Sequence, residues 1–208
     1  NHIRGLYNSN VPIAVIGMSA SRTPWYLSRG LPMMRSLFKK AISLWGVNSE
    51  QDSAVLSFAG LHSSVLGNPK YDYAVQLMDQ PASPLMRTWR SLQVKPVLLL
   101  GSAHLSDVEF VLKSTSLSNY TLWIVAHDLQ QVPAMASLLD ENGLRIAYST
   151  QHEPQVCEVF MIDEMGILPT LCALADAVFI GGGFGKATHN VLESVAQGKT
   201  AASGPNWQ

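Results

Sequence analysis

Short apolar runs rich in β-branched residues alternate along this chain with stretches in which apolar residues recur every three or four positions. VPIAVIG (11–17), SLWGV (43–47) and SSVLG (63–67) read as strands, while MMRSLFKKAI (33–42) and SEQDSAVLSFAG (49–60) read as the helices between them. The rhythm resumes after residue 94. KPVLLLG (95–101), LWIVA (122–126), LRIAYS (144–149), VCEVFMI (156–162) and AVFIG (177–181) are strand-like, with helices predicted from about Asp107, over 131–141, near 166–175 and from about Thr188. The runs VLLL and AVFI carry no polar interruption, as expected for parallel strands covered on both faces. The fold class predicted is therefore α/β with parallel sheets.

The polar stretch between the two series holds Pro81 and Pro84, with Pro96 just beyond, around a short predicted helix. It divides the chain into an α/β unit over 1–80, a linker or crossover over 81–94, and a second α/β unit over 95–208. There is no internal repeat and no low-complexity tract.

Composition supports a packed core, since 47% of the 208 residues are hydrophobic and 14% charged. No run approaches the roughly 18 apolar residues of a membrane span, and the opening NHIRGLYNSN has no signal-peptide core, so a cytoplasmic chain, possibly a fragment, is expected. Cys157 and Cys172 form no CxxC pair and are expected as small core residues. The net charge of −1 hides an asymmetry: residues 1–49 carry six bases and no acid, while 50–208 carry eight bases and fifteen acids. The basic segment suits either an anionic lipid or phosphorylated partner, or simply a solvated face.

In parallel α/β sheets, ligands gather where strands end and helices begin. Four such loops hold polar or glycine residues: GSAH (101–104), AHD (126–128), DEMG (163–166) and GGGFGKATHN (181–190). The glycines at 181–183 and 185 suit close backbone approach to a phosphate or sugar, or a flexible turn. The loop is no Walker motif, because Ala187 follows Lys186 where a hydroxyl would be needed. His189, Asn190 and Glu193 share a helix face, where Glu193 could accept ribose hydroxyls or where the group could merely cap the helix. Gly101, Ser102 and His104 form a second candidate phosphate turn. Asp163 is a donor-loop residue or an N-cap, and His127 a ligand contact or a structural histidine. GxSxG, HExxH and DxD are all absent, as is a basic-aromatic stripe, so no metal, no cofactor and no nucleic-acid partner is expected.

Taken in order, GSAHLSD, LWIVAHDL, IDEMGIL and VFIGGGFGKATHNVLESVAQGK followed by GPN resemble the donor-site motifs of bacterial 3-deoxy-D-manno-octulosonic acid (Kdo) transferases, in the form found in Bacteroidetes-like lineages. GNPKYD (67–72) resembles the signature that closes the family's first domain. The resemblance implies a GT-B fold of two Rossmann-like domains, the first partial here, with CMP-Kdo as donor and a lipid A precursor as acceptor. It implies peripheral action at the cytoplasmic face of the inner membrane, by a metal-independent inverting displacement. Carried over, Gly101, Ser102, His104, His127, Asp163, Met165, Gly166, Gly182, Gly183, His189, Asn190 and Glu193 would line the CMP-Kdo pocket. Arg22, Arg35, Lys39 and Lys40 would face lipid phosphates. The chain departs from the commoner family forms at Ala126-His127-Asp128, where many members read PRH, and at Gly166-Ile167-Leu168, where many read GEL. The family's general base, a glutamate in a glycine-rich segment, has no counterpart, the first acid being Glu50. No catalytic residue is assigned, and the chain alone is expected to transfer little or nothing. A UDP-sugar enzyme of the same architecture and a noncatalytic nucleotide-binding fragment are the alternatives.

Overall fold

The computed structural model describes residues 2–20, 24, 27, 32–78, 81–114, 117–151, 153–185 and 189–206. The chain divides into two compact units, Asn1–Tyr73 and Ala74–Gln208.

In the first unit, β1 (Ile13–Met18), β2 (Ile42–Val47) and β3 (Ser64–Val65) form a parallel sheet in that order. They are joined by α2 (Pro32–Ala41) and α3 (Glu50–Phe58), as the apolar pattern predicts. Ser49 starts α3 by accepting the Asp52 N–H on its hydroxyl at 3.2 Å, and Glu50 and Asp52 place negative charge in the first turn, where the helix dipole favours it. Leu27, Ile42, Trp45, Val47, Leu56 and Leu61 close the core. The N-terminal helix α1 (His2–Asn8) was not predicted; none of its residues is buried, and it packs against α2.

The second unit is built on a six-stranded, wholly parallel sheet. Its strands are β4 (Val97–Ala103), β5 (Thr121–Ala126), β6 (Ile146–Tyr148), β7 (Val159–Ile162), β8 (Ala177–Ile180) and β9 (Thr200–Ser203), in the order β6-β7-β5-β4-β8-β9. Alternate side chains serve two separate cores, as the pleat requires. Val97, Leu99, Trp123, Val125, Phe160, Ile162, Val178 and Ile180 face one side, with α5 (Pro84–Ser91) and α8 (Leu168–Leu174). Leu100, Leu122, Ile124, Val159, Met161 and Phe179 face the other, with α6 (Leu105–Ser114) and α7 (Val132–Glu141). Both cysteines are buried and neither forms a disulfide.

Residues 81–94 differ from the expected linker. Ala82, Met86 and Trp89 lie in the second unit's core, Trp89 stacks on Phe160 at 4.1 Å between centroids, and Arg90 pairs with Asp176 at 2.9 Å. A segment that buries a tryptophan belongs to the unit it buries it in. The helix α4 (Pro69–Met78) was also unpredicted, and the last helix, α9 (Leu192–Ala196), begins four residues later than expected.

Candidate functional site

The chain leaves β4 to pack on one side through β5 and on the other through β8, so the direction of winding reverses between β4 and β8. At such a switch the loops leaving the carboxyl ends diverge and open a crevice. The loops after β4, β5 and β8 carry His104, His127 and His189. Backbone bonds set each in place: His127 N–H donates to the Ala103 carbonyl at 2.9 Å, and His189 N–H to the Gly181 carbonyl at 3.1 Å. The His104 N–H donates to Oδ2 of Asp107 at 2.8 Å.

The three imidazoles converge. His104 Nε2 and His189 Nε2 are 3.1 Å apart, and ring centroids lie 4.1 Å apart for His127 and His189, 4.8 Å for His104 and His127, and 5.4 Å for His104 and His189. His127 is exposed and the other two are half-buried. Burial, followed by the neighbouring His127 and His104, holds the His189 imidazole below its ordinary pKa, against the opposing pull of Asp107. The Gln131 amide reaches His104 Nδ1 at 3.5 Å, while its oxygen accepts the Leu105 N–H at 3.3 Å.

Around the cluster the backbone is tightly constrained. Ser102 adopts φ 51°, a left-handed conformation rare outside glycine, at an interruption of the β4–β5 register between Leu100 and Ala103. In the turn after β8, a Cβ at Gly181 would collide with the Ser102 carbonyl, and one at Gly183 would lie 2.5 Å from the Gly204 nitrogen. Two of the glycines are therefore demanded by backbone packing within the protein. Gly182, at φ 89°, donates its N–H to Asp107 Oδ2 at 3.1 Å, and Gly185 donates to the Gly182 carbonyl. Asn206 braces the turn by donating from its backbone to Gly183 and from its side chain to Gly185, which places the GPN segment against the glycine loop.

The remaining candidates are distributed differently. Asp163 accepts the hydroxyls of Ser149 and Thr150 at 2.7 Å each and ties the end of β7 to the turn after β6; α8 starts later, at Leu168, and takes no side-chain cap. Burial alone would raise the Asp163 pKa, but these hydrogen bonds outweigh it and lower the value. Met165 is exposed and Gly166 has φ 86°. Among the described residues no hydrogen bond or ring contact joins these three to the histidines. Asn190 accepts the Leu192 N–H at 3.1 Å, the capping arrangement that the spacing allowed. Glu193 is the second residue of α9, and its side chain lies outside the described structure, as do Lys186 and Arg22.

In the first unit, Arg35 donates to the Ala59 carbonyl at 2.7 Å and so holds the end of α3. Lys39 and Lys40 are exposed. Lys40 and Arg4 border an open groove of about 640 Å³ lined also by Met33, Met34 and Leu37. Arg4 and the groove's apolar lining were not singled out from the sequence, because α1 itself was not foreseen. Asp107, Gln131 and Asn206 were likewise missed as site-forming residues, although Asp107 and Asn206 fall inside the quoted GSAHLSD and GPN segments.

No family model matches the chain. A bifunctional glycosyltransferase/methyltransferase of Fusobacterium nucleatum is 25% identical over 185 residues, 85% of this chain and 29% of that protein. The 3-deoxy-D-manno-octulosonic acid transferase of Chlamydia muridarum is 30% identical over 129 residues, 57% of this chain and 30% of that protein, and similarly described proteins from Rickettsia match at 24% to 26%. By sequence, the chain is Kdo transferase-like. This Kdo transferase-like chain spans less than a third of the length of the Fusobacterium and Chlamydia proteins. The solved C-terminal CMP-Kdo binding domain of WaaA from Acinetobacter baumannii is a distant likeness, with a TM-score of 0.47 and 18% identity over 65% of this chain and 70% of that one.

Proposed function

We propose that this chain is part of a GT-B glycosyltransferase that takes Kdo from CMP-Kdo, with residues 74–208 forming the donor side. The carrying observation is the convergence of the loops after β4, β5 and β8 at the point where the sheet's winding reverses, presenting His104, His127 and His189 together. Because the N–H groups of Gly181, Gly182 and Gly185 are engaged within the protein, the pocket's polar contacts to a phosphate come chiefly from side chains. Glu193 takes the ribose hydroxyls, as the family resemblance suggests.

The acceptor is a lipid A precursor, met at the cytoplasmic face of the inner membrane. No described helix is long and apolar enough to cross a membrane. Arg4 and Lys40 flank a groove with apolar lining suited to a phosphorylated lipid, and Lys39 lines a smaller neighbouring pocket, each cation adding about 1 kcal/mol near an anionic surface. Arg35 lines the same smaller pocket while also donating to the Ala59 carbonyl. In the transfer step a glutamate from outside these residues deprotonates the acceptor hydroxyl, which attacks the anomeric carbon as CMP leaves with the bonding electron pair. The step inverts configuration and assigns no role to a metal.

The test is calorimetric titration of CMP, with UDP as control, into the purified chain and into Glu193→Ala. CMP is expected to bind more tightly than UDP, and the variant to lose at least about tenfold in affinity, the equivalent of 1.4 kcal/mol. Equal binding of both nucleotides, or preference for UDP, would replace the donor by a UDP-sugar.

A further inference from the structure

One nitrogen from each of His104, His127 and His189 lies within 4.8 Å of the other two, and among the described residues no other three histidine, cysteine or acidic side chains come so close. Three imidazoles packed this way leave a problem of lone pairs. In the neutral form each ring has one N–H and one bare nitrogen, so His104 and His189 satisfy each other at 3.1 Å only when one Nε2 is protonated and the other bare, and two bare Nε2 atoms at that distance repel. Protonating the rings would bring like charges to within stacking distance. A cation that accepts three lone pairs at once resolves both difficulties.

The spacing suits one. Three imidazole nitrogens around a tetrahedral ion at about 2.0–2.1 Å stand roughly 3.4 Å from each other. The His104–His189 pair is already there, and a rotation of the exposed His127 side chain, now stacked on His189, would bring in the third nitrogen. Behind the ligands lies a carboxylate. Asp107 is fully buried, its Oδ2 accepts the N–H groups of both His104 and Gly182, and its Oδ1 has no hydrogen-bond partner. That carboxyl group joins two of the three ligand-bearing loops and holds them beside the cluster. Gln131 turns its amide nitrogen toward His104 Nδ1 at 3.5 Å while its oxygen accepts the Leu105 N–H, so ligation through His104 Nε2 requires that amide to release Nδ1.

We propose that His104, His127 and His189 form a three-histidine site for one divalent transition-metal ion of the zinc class, with its fourth position open on the His127 side. The imidazole set selects zinc, cobalt, nickel or copper over magnesium and calcium, which prefer oxygen ligands. The short-range patterns HExxH and DxD do not reveal the site because its ligands come from three separate strand ends. Ion binding is a property of these residues whatever nucleotide the crevice takes, and it gives the ion no part in the transfer step.

The experiment uses the untagged, chelator-stripped chain, with zinc affinity measured by competition against a chromophoric chelator and cobalt substitution followed by visible absorption. One zinc per chain is expected, and cobalt should give the intense visible bands of a tetrahedral nitrogen site. His104→Ala and His189→Ala should each weaken zinc binding by more than the roughly 10–100-fold typical of losing an outer-shell partner. His62→Ala, an exposed histidine outside the cluster, should bind as the parent does. Cobalt spectra of the parent chain showing only the weak bands of a hydrated ion would overturn the site without reliance on any variant. So would zinc affinity unchanged by the two cluster substitutions. CMP binding in the presence of chelator is scored separately, so the donor reading and the ion site stand or fall independently.

Discussion

One carboxylate oxygen of Asp107 accepts two backbone N–H groups that belong to different loops, those of His104 at 2.8 Å and Gly182 at 3.1 Å, while the other oxygen is buried without a partner. An unsatisfied buried oxygen is a cost, and it is retained here because the same carboxylate fixes the two loops that carry His104 and His189. Removing it orphans both donors at once. Asp107→Ala is therefore expected to destabilise the second unit by on the order of 3 kcal/mol, readable from the urea midpoint. A change below about 0.5 kcal/mol would mean that the two N–H groups find water in the variant and that the loops hold without the carboxylate.

At the scale of elements, α5 shows how a polar-looking segment becomes part of a core. Ser83 caps it by accepting the Met86 N–H at 3.2 Å, and Pro84 at the helix start loses no hydrogen bond. The helix then buries Met86 and Trp89 on one side while Arg90 donates to the Leu174 carbonyl at 2.9 Å and pairs with Asp176. Trp89 is fully buried between α5 and the sheet, with its indole N–H unpartnered. Trp89→Ala should cost about 3–5 kcal/mol in urea denaturation through the cavity it leaves. Trp89→Phe retains most of the ring contact with Phe160 and removes an orphaned donor, so its expected cost is under about 1.5 kcal/mol. Equal losses for the two would show that the indole nitrogen has a partner, contrary to the packing described.

Over the whole molecule, the strand rhythm was legible wherever apolar runs were long, as in Val97–Leu100 and Leu122–Val125, because a strand covered on both faces needs little else to specify it. β9 escaped notice because Thr200–Ser203 is short, small and half-polar, and it is defined by pairing with β8 rather than by its own composition. The histidine cluster was legible only as three separate strand-end candidates. Strand order brings residues 104, 127 and 189 together, and no local spacing encodes that order. The two units also carry separate cores, so their stabilities can be perturbed one at a time. Asp52 is the lever for the first. Its pKa is held below the usual 3.8, first by the Ala20 N–H at 2.6 Å and then by the Ser49 hydroxyl, against the upward push of burial. Because the unfolded chain holds that proton more tightly, the stabilisation is complete above the unfolded-state value and drains away as pH falls toward the depressed folded-state one. Asp52→Asn should lower the stability of the first unit by about 1.5–3 kcal/mol at neutral pH and remove its share of the acid slope. Amide exchange at Trp45 and Leu56, buried in the first unit's core, reads the effect, with Leu99 and Ile124 of the second unit as internal controls. Faster exchange at all four residues alike would show that the two cores open as one cooperative body, whereas acceleration confined to Trp45 and Leu56 would place the Asp52 contribution in the first unit alone.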